Sequence, residues 1–231
     1  MGVSLPVPLA HRPPVRGVLL DVFDTLFSPA KLSSAFAACG LDGACAPLWL
    51  SLLFSSGIAF TAAEDYRRFT DIAANTLKAL DPTHVGRAEV QTVLRAMQQL
   101  EPHPDTAAGL ARLRAAGVRV LTLTQQDAAS CAALFGSAGL RDLVDGFLSA
   151  EAVRRWKPAP ATYTYGAAQV GWPPANVALI SAHDWDIHGA RRAGLQTGRL
   201  LRCAVAPTSL FDRADVTAPD LPTVVEKLLS G

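Results

Sequence analysis

Four polar side chains in well-separated parts of the chain are of types that together could carry out nucleophilic hydrolysis. They are Asp21, Thr25, Lys157 and Asp186. A carboxylate can attack a substrate and form an ester, and a nearby ammonium group keeps it ionised because an opposite charge lowers its pKa. A hydroxyl and a second carboxylate could orient the first two groups. The set predicts covalent hydrolysis if the fold brings these segments together.

Short apolar runs precede these residues and are typical of buried parallel strands. The runs are residues 18–20, 118–123 and 177–180. Nearly continuous Val, Leu and Ile indicates strands covered on both faces of a sheet. The polar residues that follow them are Asp21 and Thr25, then Thr124 and Gln125, then Ser181, His183, Asp184 and Asp186. Since ligands bind at the carboxyl edge of such sheets, we expect these side chains to converge there.

Helical patterns alternate with the three strands. They cover residues 106–116, 128–135 and 160–170. Each is followed by a glycine that could end it, namely Gly117, Gly139 or Gly171. Asp105 is expected to be the N-cap of the first helix. Strands alternating with helices predict an α/β fold with a doubly wound parallel sheet.

The segment between the first and second strands has helical periodicity throughout. Three helices are predicted there, over residues 48–54, 64–80 and 87–100, separated by Pro47, Gly57 and the pair Asp81-Pro82. A helical block at this place in an α/β chain predicts an inserted cap. We therefore expect a core made of residues 15–30 and 101–231, and a helical cap made of residues 31–100.

The amino-acid composition indicates which kind of binding partner and which cellular compartment to expect. The chain has 21 basic and 20 acidic residues, so no strong field favours nucleic acid or an anionic membrane, and we expect a small-molecule substrate. The cysteines Cys39, Cys45, Cys131 and Cys203 form no CxxC pair. This favours reduced thiols in the cytoplasm. Residues 1–14 are expected to be a flexible lead-in without a signal peptide, and no later apolar stretch of 18 residues is expected. A homodimer is compatible with the composition.

Four segments resemble, in order, the motifs of the haloacid dehalogenase superfamily. Residues 20–27 resemble the first motif, Thr124-Gln125 the second and Lys157-Pro158 the third. Residues 181–186, followed by Gly189-Ala190, resemble the fourth. Each motif alone is weak, whereas the ordered set is specific. The resemblance implies a Rossmann-like core with an inserted helical cap.

Phe23 favours one branch of this superfamily. Phosphatase members carry a second Asp two residues after the nucleophile, and a phenyl ring cannot replace it as a proton donor. The 2-haloacid dehalogenases (type II) lack that Asp, and Tyr163 and Trp185-Asp186 also resemble this branch. The resemblance then implies a hydrolase that cleaves a carbon–halogen bond without a metal or other cofactor. The alternatives are a Mg²⁺-dependent phosphatase that uses Asp24 or a water, and a non-catalytic relative that binds a metabolite.

The resemblance also implies a role for each site residue. Asp21 would attack the carbon bearing the halogen, Lys157 would hold it ionised, and Thr25 and Ser181 would orient the carboxylates. Asp186 would hold Lys157 or activate the water that hydrolyses the ester, and His183 would assist that water. The implied substrate-binding residues are Thr124, Gln125, Phe23, Trp49, Leu50 and Tyr163. Packing roles for Phe23, Trp49 and Tyr163, and a solvated loop for His183, are the alternatives.

Leu50 is the main departure from the branch. It stands where the 2-haloacid dehalogenases have an Arg in the first cap helix, which helps to bind the substrate and the departing halide. Gln125 stands in place of an Asn, and Asp24 in place of a Gly. We therefore predict weak activity on short 2-haloacids and a preference for a bulkier or less charged substrate.

Overall fold

A six-stranded parallel sheet forms the centre of the protein. This computed structural model describes residues 12–202 and 209–230. The sheet strands are β1 (Gly17–Leu20), β4 (Arg119–Thr124), β5 (Gly146–Ser149), β6 (Val177–Ser181), β7 (Gln196–Leu200) and β8 (Val216–Ala218). They lie in the order β5-β4-β1-β6-β7-β8, and all neighbouring pairs are parallel. Numbered along the chain, this is the 3-2-1-4-5-6 order of a Rossmann fold. The predicted doubly wound sheet is confirmed.

Helices cover both faces of the sheet. In chain order they are α1 (Leu32–Ala38), α2 (Ala46–Ala62), α3 (Phe69–Leu80), α4 (Arg87–Met97), α5 (Thr106–Ala115), α6 (Ala128–Ser137), α7 (Pro160–Val170), α8 (Asp184–Arg192) and α9 (Leu221–Leu229). Successive side chains of β1 point to opposite faces. Val18 and Leu20 join the core that continues into the cap, and Leu19 packs with Tyr163 and Ala167 of α7. Because both faces of the sheet are covered by helices at β1, every residue of this strand is buried and apolar.

A two-stranded ribbon marks the place where the chain leaves and rejoins the core. Strand β2 (Phe27–Ser28) pairs antiparallel with β3 (Glu101–Pro102). Helices α1 to α4 lie between these strands and share one apolar core, in which Phe36, Trp49 and Val93 are fully buried. The division into a core of residues 15–30 and 101–231 and a cap of residues 31–100 stays a prediction, which this ribbon supports.

The predicted helix boundaries in the cap were partly wrong. Gly57 does not separate two helices but lies inside α2, where a Cβ would come within 2.2 Å of the Trp156 ring. The absence of a side chain at Gly57 allows the Trp156 indole to pack directly against the helix. Helix α3 begins at Phe69 rather than at Glu64, which has a left-handed φ of 60°. Helix α1 was missed because a stretch of small residues carries little periodicity.

Two further predictions about the core need correction. Asp105 does not cap α5 with its side chain. Its carboxylate instead accepts hydrogen bonds from Leu221 N at 2.6 Å and from Arg202, so it ties the start of α9 to the core. Strands β5, β7 and β8 were not predicted. Gly171 ends α7 in a left-handed conformation, as expected.

Helix α2 is more apolar than we expected. The helical stretch Gly43–Ala62 has a mean hydropathy of 1.5 over 20 residues, so by length and composition alone it could cross a membrane. The expectation of no long apolar stretch is therefore wrong. In this fold Trp49 and Leu53 of α2 pack into the cap core, while Leu48 and Leu52 are exposed at 53% and 36%. Cys39, Cys45 and Cys131 are free, and Cys203 and the lead-in at residues 1–11 lie outside the described residues.

Candidate active site

Asp21 lies at the carboxyl end of β1, where the strand order of the sheet reverses. The side chain is nearly buried, and two hydroxyl groups face one of its oxygens. Thr25 donates a hydrogen bond to Asp21 Oδ2 at 2.5 Å, and Ser181 Oγ lies 3.4 Å from the same atom. Thr25 Oγ1 in turn accepts from Ala182 N at 2.9 Å. The loops after β1 and β6 are thereby joined around one carboxylate.

Lys157 is completely buried between two carboxylates. Its Nζ donates to Asp21 Oδ1 at 2.7 Å and to Asp186 Oδ2 at 2.8 Å. The other oxygen of Asp186 accepts from the Tyr163 hydroxyl at 2.6 Å. Lys157 and Asp186 have no exposed side-chain area, so these contacts are made without competing water. The predicted convergence of these residues at one edge of the sheet is confirmed.

Opposing effects set the pKa values of the buried ion pair. Burial acts to raise the pKa of Asp21, but the charge of Lys157 and the bonds from Lys157 and Thr25 outweigh it, so the pKa lies below its usual value. Burial likewise acts to lower the pKa of Lys157, and the two carboxylates raise it above its usual value. Asp21 is therefore a carboxylate at neutral pH, as a nucleophile must be.

Gln125 fixes the backbone on which Lys157 is carried. Its Nε2 donates to Lys157 O at 3.0 Å, and its Oε1 accepts from Lys157 N at 3.2 Å. Both polar ends of the amide are thus used on a neighbouring loop. Gln125 still lines the pocket beside Asp21, as does Thr124, whose hydroxyl oxygen accepts from Gln126 N at 3.2 Å.

His183 stands beside the nucleophile on the open side of the site. Its Nε2 lies 3.1 Å from Phe23 O and 3.6 Å from Asp21 Oδ2, and its ring stacks on Trp185. A carbonyl oxygen only accepts hydrogen bonds, so the contact to Phe23 O requires a proton on Nε2. In the neutral ring Nδ1 then keeps the lone pair, and it makes no hydrogen bond within the described parts of the chain.

Two pockets share part of their lining, and the smaller of them contains Asp21. The inner pocket is lined by Asp21, Phe23, Phe54, Phe69, Thr124, Gln125, Gln126, His183 and Trp185. Its volume is about 10 Å³, the space of about one water molecule. The outer pocket is about 450 Å³ and is lined by Phe23, Asp24, Pro29, Ala30, Ser33, Ala46, Pro47, Leu50, Ser51, Phe54, His183 and Trp185. Phe23, Phe54, His183 and Trp185 border both pockets.

Two predicted substrate-binding residues do not reach either pocket. Trp49 is fully buried inside the cap, where its Nε1 donates to Ala73 O at 3.2 Å and its ring packs on Phe36. Tyr163 lies behind Asp186, whose position it fixes. The substrate-contact predictions for these two residues are therefore wrong, because the neighbouring protein groups fully enclose both rings. Leu50, next to Trp49 on α2, does line the outer pocket.

Sequence reasoning missed several aromatic residues of the pockets. Phe54 of α2 and Phe69 of α3 line the inner pocket together with Trp185, whose ring centroid lies 6.4 Å from that of Phe54. Phe54 lies one helical turn after Leu50, so an i, i+4 stripe was the signal that could have indicated it. Phe69 gave no such signal, because it begins a helix whose start was misplaced.

The donor groups of the site do not fit Mg²⁺. A magnesium ion needs near-octahedral oxygen ligands with free lone pairs. Here Lys157 lies between the two carboxylates, and Phe23 O, the backbone carbonyl that a phosphatase would offer, faces His183. No cluster of three His, Cys, Asp or Glu side chains suited to a metal occurs in residues 12–202 and 209–230. The phosphatase alternative therefore has no support from this geometry.

Comparison with known proteins agrees with the motifs and the fold. Residues 15–194 match the family model for haloacid dehalogenase-like hydrolases. The chain belongs to this family. Among its relatives, (S)-2-haloacid dehalogenase H-109 of Pseudomonas putida is 27% identical, with 78% of this chain and 83% of that protein aligned. (S)-2-haloacid dehalogenase 4A of Burkholderia cepacia is also 27% identical, with 84% of each aligned. The resemblance to the 2-haloacid dehalogenase branch is thus confirmed.

Solved structures show the same fold over nearly the whole chain. The L-2-haloacid dehalogenase of Xanthobacter autotrophicus, with chloropropionic acid covalently bound, superposes with a TM-score of 0.84 at 22% identity. The alignment covers 94% of this chain and 99% of that one. A predicted phosphoglycolate phosphatase from Haemophilus somnus gives 0.68 at 16% identity. The haloacid dehalogenase-like hydrolase described here therefore has the fold of both branches, with more similarity to the dehalogenases.

Proposed function

We propose that this hydrolase cleaves the carbon–halogen bond of a 2-haloacid-like substrate through an ester on Asp21. The observation that carries the proposal is the ionised Asp21, paired with Lys157 at the floor of an apolar pocket. Phe23 places a phenyl ring where a proton donor to a leaving group would stand. A halide leaves as an anion and needs no proton, so such a site suits it.

The reaction has two steps. In the first, an oxygen of Asp21 forms a bond to the carbon while the halide departs with the electron pair of the broken bond. In the second, water adds to the carbonyl carbon of the Asp21 ester. The bond from that carbon to the ester oxygen then breaks, and the substrate leaves as an alcohol. The sum is an organic halide plus water giving an alcohol, a halide ion and a proton. Thr25 and Ser181 orient Asp21 throughout.

His183 is the group best placed to accept the proton of the water. It lines both pockets, and its Nε2 lies 3.1 Å from Phe23 O while its Nδ1 makes no hydrogen bond in the described residues. Asp186 lines neither described pocket, and both its oxygens already accept hydrogen bonds, so we assign it to holding Lys157. His183→Gln keeps a donor for Phe23 O but cannot take a proton. We expect the ester to accumulate in this variant, visible as added mass on the intact protein.

Oxygen labelling tests the nucleophile. In a single turnover in ¹⁸O-water with excess enzyme, the label should enter Asp21, because water attacks the ester at its carbonyl carbon. Asp21→Asn should abolish halide release while the variant still folds by circular dichroism, although losing the ion pair with Lys157 should lower its melting temperature. The exposed Asp142→Asn is the matched control and should keep full activity. Label appearing only in the product would mean that water attacks the substrate directly, and the proposal would fail.

We also infer the setting in which the enzyme works. The free thiols Cys39, Cys45 and Cys131 support a reducing cytoplasm, and the balanced charge supports a small-molecule substrate rather than nucleic acid or a membrane. We infer a homodimer in which a second copy covers Leu48 and Leu52, because this exposed face of α2 carries no charge. Sedimentation should give a dimer that Leu52→Glu converts to a monomer.

A further inference from the structure

Among the described residues, no Lys or Arg lines either pocket, and His183, the one imidazole in their lining, already faces Asp21 at 3.6 Å. Their described lining also contains the carboxylates of Asp21 and Asp24. Lys157 lies behind Asp21, has no exposed area, and divides its charge between two carboxylates. A negatively charged substrate would therefore lose its hydration without gaining a counter-charge, which is costly. The electrostatics of this site favour an uncharged substrate.

The outer pocket offers room for an apolar chain. Pro29, Ala30, Ala46, Pro47 and Leu50 supply an apolar part of its wall, and its volume of about 450 Å³ lies in the range of small-molecule sites. The inner pocket holds only about one water. The inner pocket therefore has room for one small group of a substrate, such as a carbonyl oxygen beside Thr124, while the chain would lie in the outer pocket.

One polar group of the inner pocket can recognise a carbonyl oxygen. The Thr124 hydroxyl oxygen accepts from Gln126 N, and its own hydrogen has no acceptor in the described residues. It can therefore donate to a substrate carbonyl. A hydroxyl satisfies the oxygen of an amide or ester, but it does not neutralise a carboxylate.

We propose that the outer pocket binds the alkyl chain of an uncharged 2-halocarbonyl compound, an amide or ester of a 2-haloacid rather than the free acid. This inference rests on the proposed function, since it assumes attack by Asp21 on the carbon bearing the halogen. It specifies that the substrate is uncharged and that its alkyl chain lies in the outer pocket. Leu50 and Asp24, which both line the outer pocket, are the residues that set this specificity.

Matched bromides test the proposal. Bromide release is measured with 2-bromohexanoate, 2-bromohexanamide and 2-bromopropanamide, and background is taken from Asp21→Asn. We expect kcat/KM for the hexanamide to exceed that for the acid of equal length by at least about ten-fold. The longer amide should also have a lower KM than the shorter one. An acid that reacts as fast as its amide would overturn the inference and leave the dehalogenase proposal standing. Release from none of them would instead refute the proposed function.

Substitutions in the outer pocket give a second measurement. Leu50→Arg supplies a cation, and Leu50→Met is its neutral control of similar length. The ratio of acid to amide turnover should rise about ten-fold in the first and stay unchanged in the second. Asp24→Asn removes a like charge and should shift the ratio in the same direction. If neither charge change moves the ratio, the pocket does not select by charge and the inference is wrong.

Discussion

Replacing Lys157 with Met should destabilise the protein strongly and in a pH-dependent way. The ammonium lies 2.7 Å from Asp21 and 2.8 Å from Asp186 and has no exposed area. Met fills similar space but leaves two carboxylates buried without a counter-charge. Removing one partner of a buried ion pair costs about 3–5 kcal/mol. We expect a loss of that size in the free energy of unfolding near pH 8.

The pH dependence follows from the direction of each pKa shift. In the wild type the pKa of Asp21 is lowered, so its stabilisation is present above the unfolded value of about 3.9 and is lost as pH falls through the folded value. The pKa of Lys157 is raised, so its stabilisation is present below about 10.4 and is lost as pH rises through the folded value. Without Lys157, burial raises the pKa of both carboxylates, and the folded variant binds protons more readily than the unfolded chain. The difference between variant and wild type should therefore shrink from pH 8 to pH 5.

Urea unfolding at several pH values measures this difference. Lys31→Met is the matched control, because Lys31 pairs with Glu101 at the surface with more than half of each side chain exposed. It should cost less than about 1 kcal/mol at every pH. Halide release by the Lys157 variant should be almost absent at pH 7, because Asp21 then lacks the positive charge that favours its ionised form and the hydrogen bond that holds it in place. Equal destabilisation at pH 5 and pH 8 would refute the charge argument and leave only a packing role for Lys157.

Three further predictions concern packing and metal. Gly57→Ala should cost about 1–3 kcal/mol, because its Cβ would meet the Trp156 ring at 2.2 Å, whereas Gly136→Ala should be neutral or stabilising, since nothing lies within 4 Å. The melting temperatures of the Gly57→Ala and Gly136→Ala variants measure this difference. Trp49→Phe should lower the free energy of unfolding by about 1 kcal/mol, because the hydrogen bond to Ala73 O is lost, and should leave kcat unchanged. A lower kcat would indicate that Trp49 does contact the substrate. EDTA should leave turnover unchanged and added Mg²⁺ should not raise it, and a requirement for Mg²⁺ would restore the phosphatase alternative.

The strands that the sequence predicted are those with a strong apolar run. β1 and β6 contain continuous apolar runs, and β4 keeps three apolar residues around the buried Thr122. β7 is equally buried but contains Gln196, Thr197 and Arg199. Gln196 bonds to Pro13 O and Thr197 to Asp215, and Arg199 forms an ion pair with Asp184 although two of its buried nitrogens make no hydrogen bond. Local patterns cannot reveal such partners, so β7 could not be predicted.

The site was predictable in its residue types, but not in which side of the cap helix faces it. Trp49, Leu53 and Gly57 form an i, i+4, i+8 stripe of α2 that faces the cap interior. Leu50 and Phe54 lie one residue further on, about 100° around the helix, and face the pockets. The motif resemblance placed Trp49 and Leu50 together. Only the packing of α2 against its neighbours separates their roles.

Gln125 of the second motif is one methylene longer than Asn and bonds to the backbone of Lys157. Gln125 stands where the branch has Asn, and its longer amide reaches both the N–H and the C=O of Lys157. An amide with both ends engaged has little capacity left for a substrate, so its main effect is to fix the lysine. Fixing matters because the ammonium must lie within hydrogen-bond distance of both Asp21 and Asp186 to offset the cost of burying three charges. Gln125 therefore positions Asp21 through Lys157, and both Gln125 and Thr124 line the inner pocket.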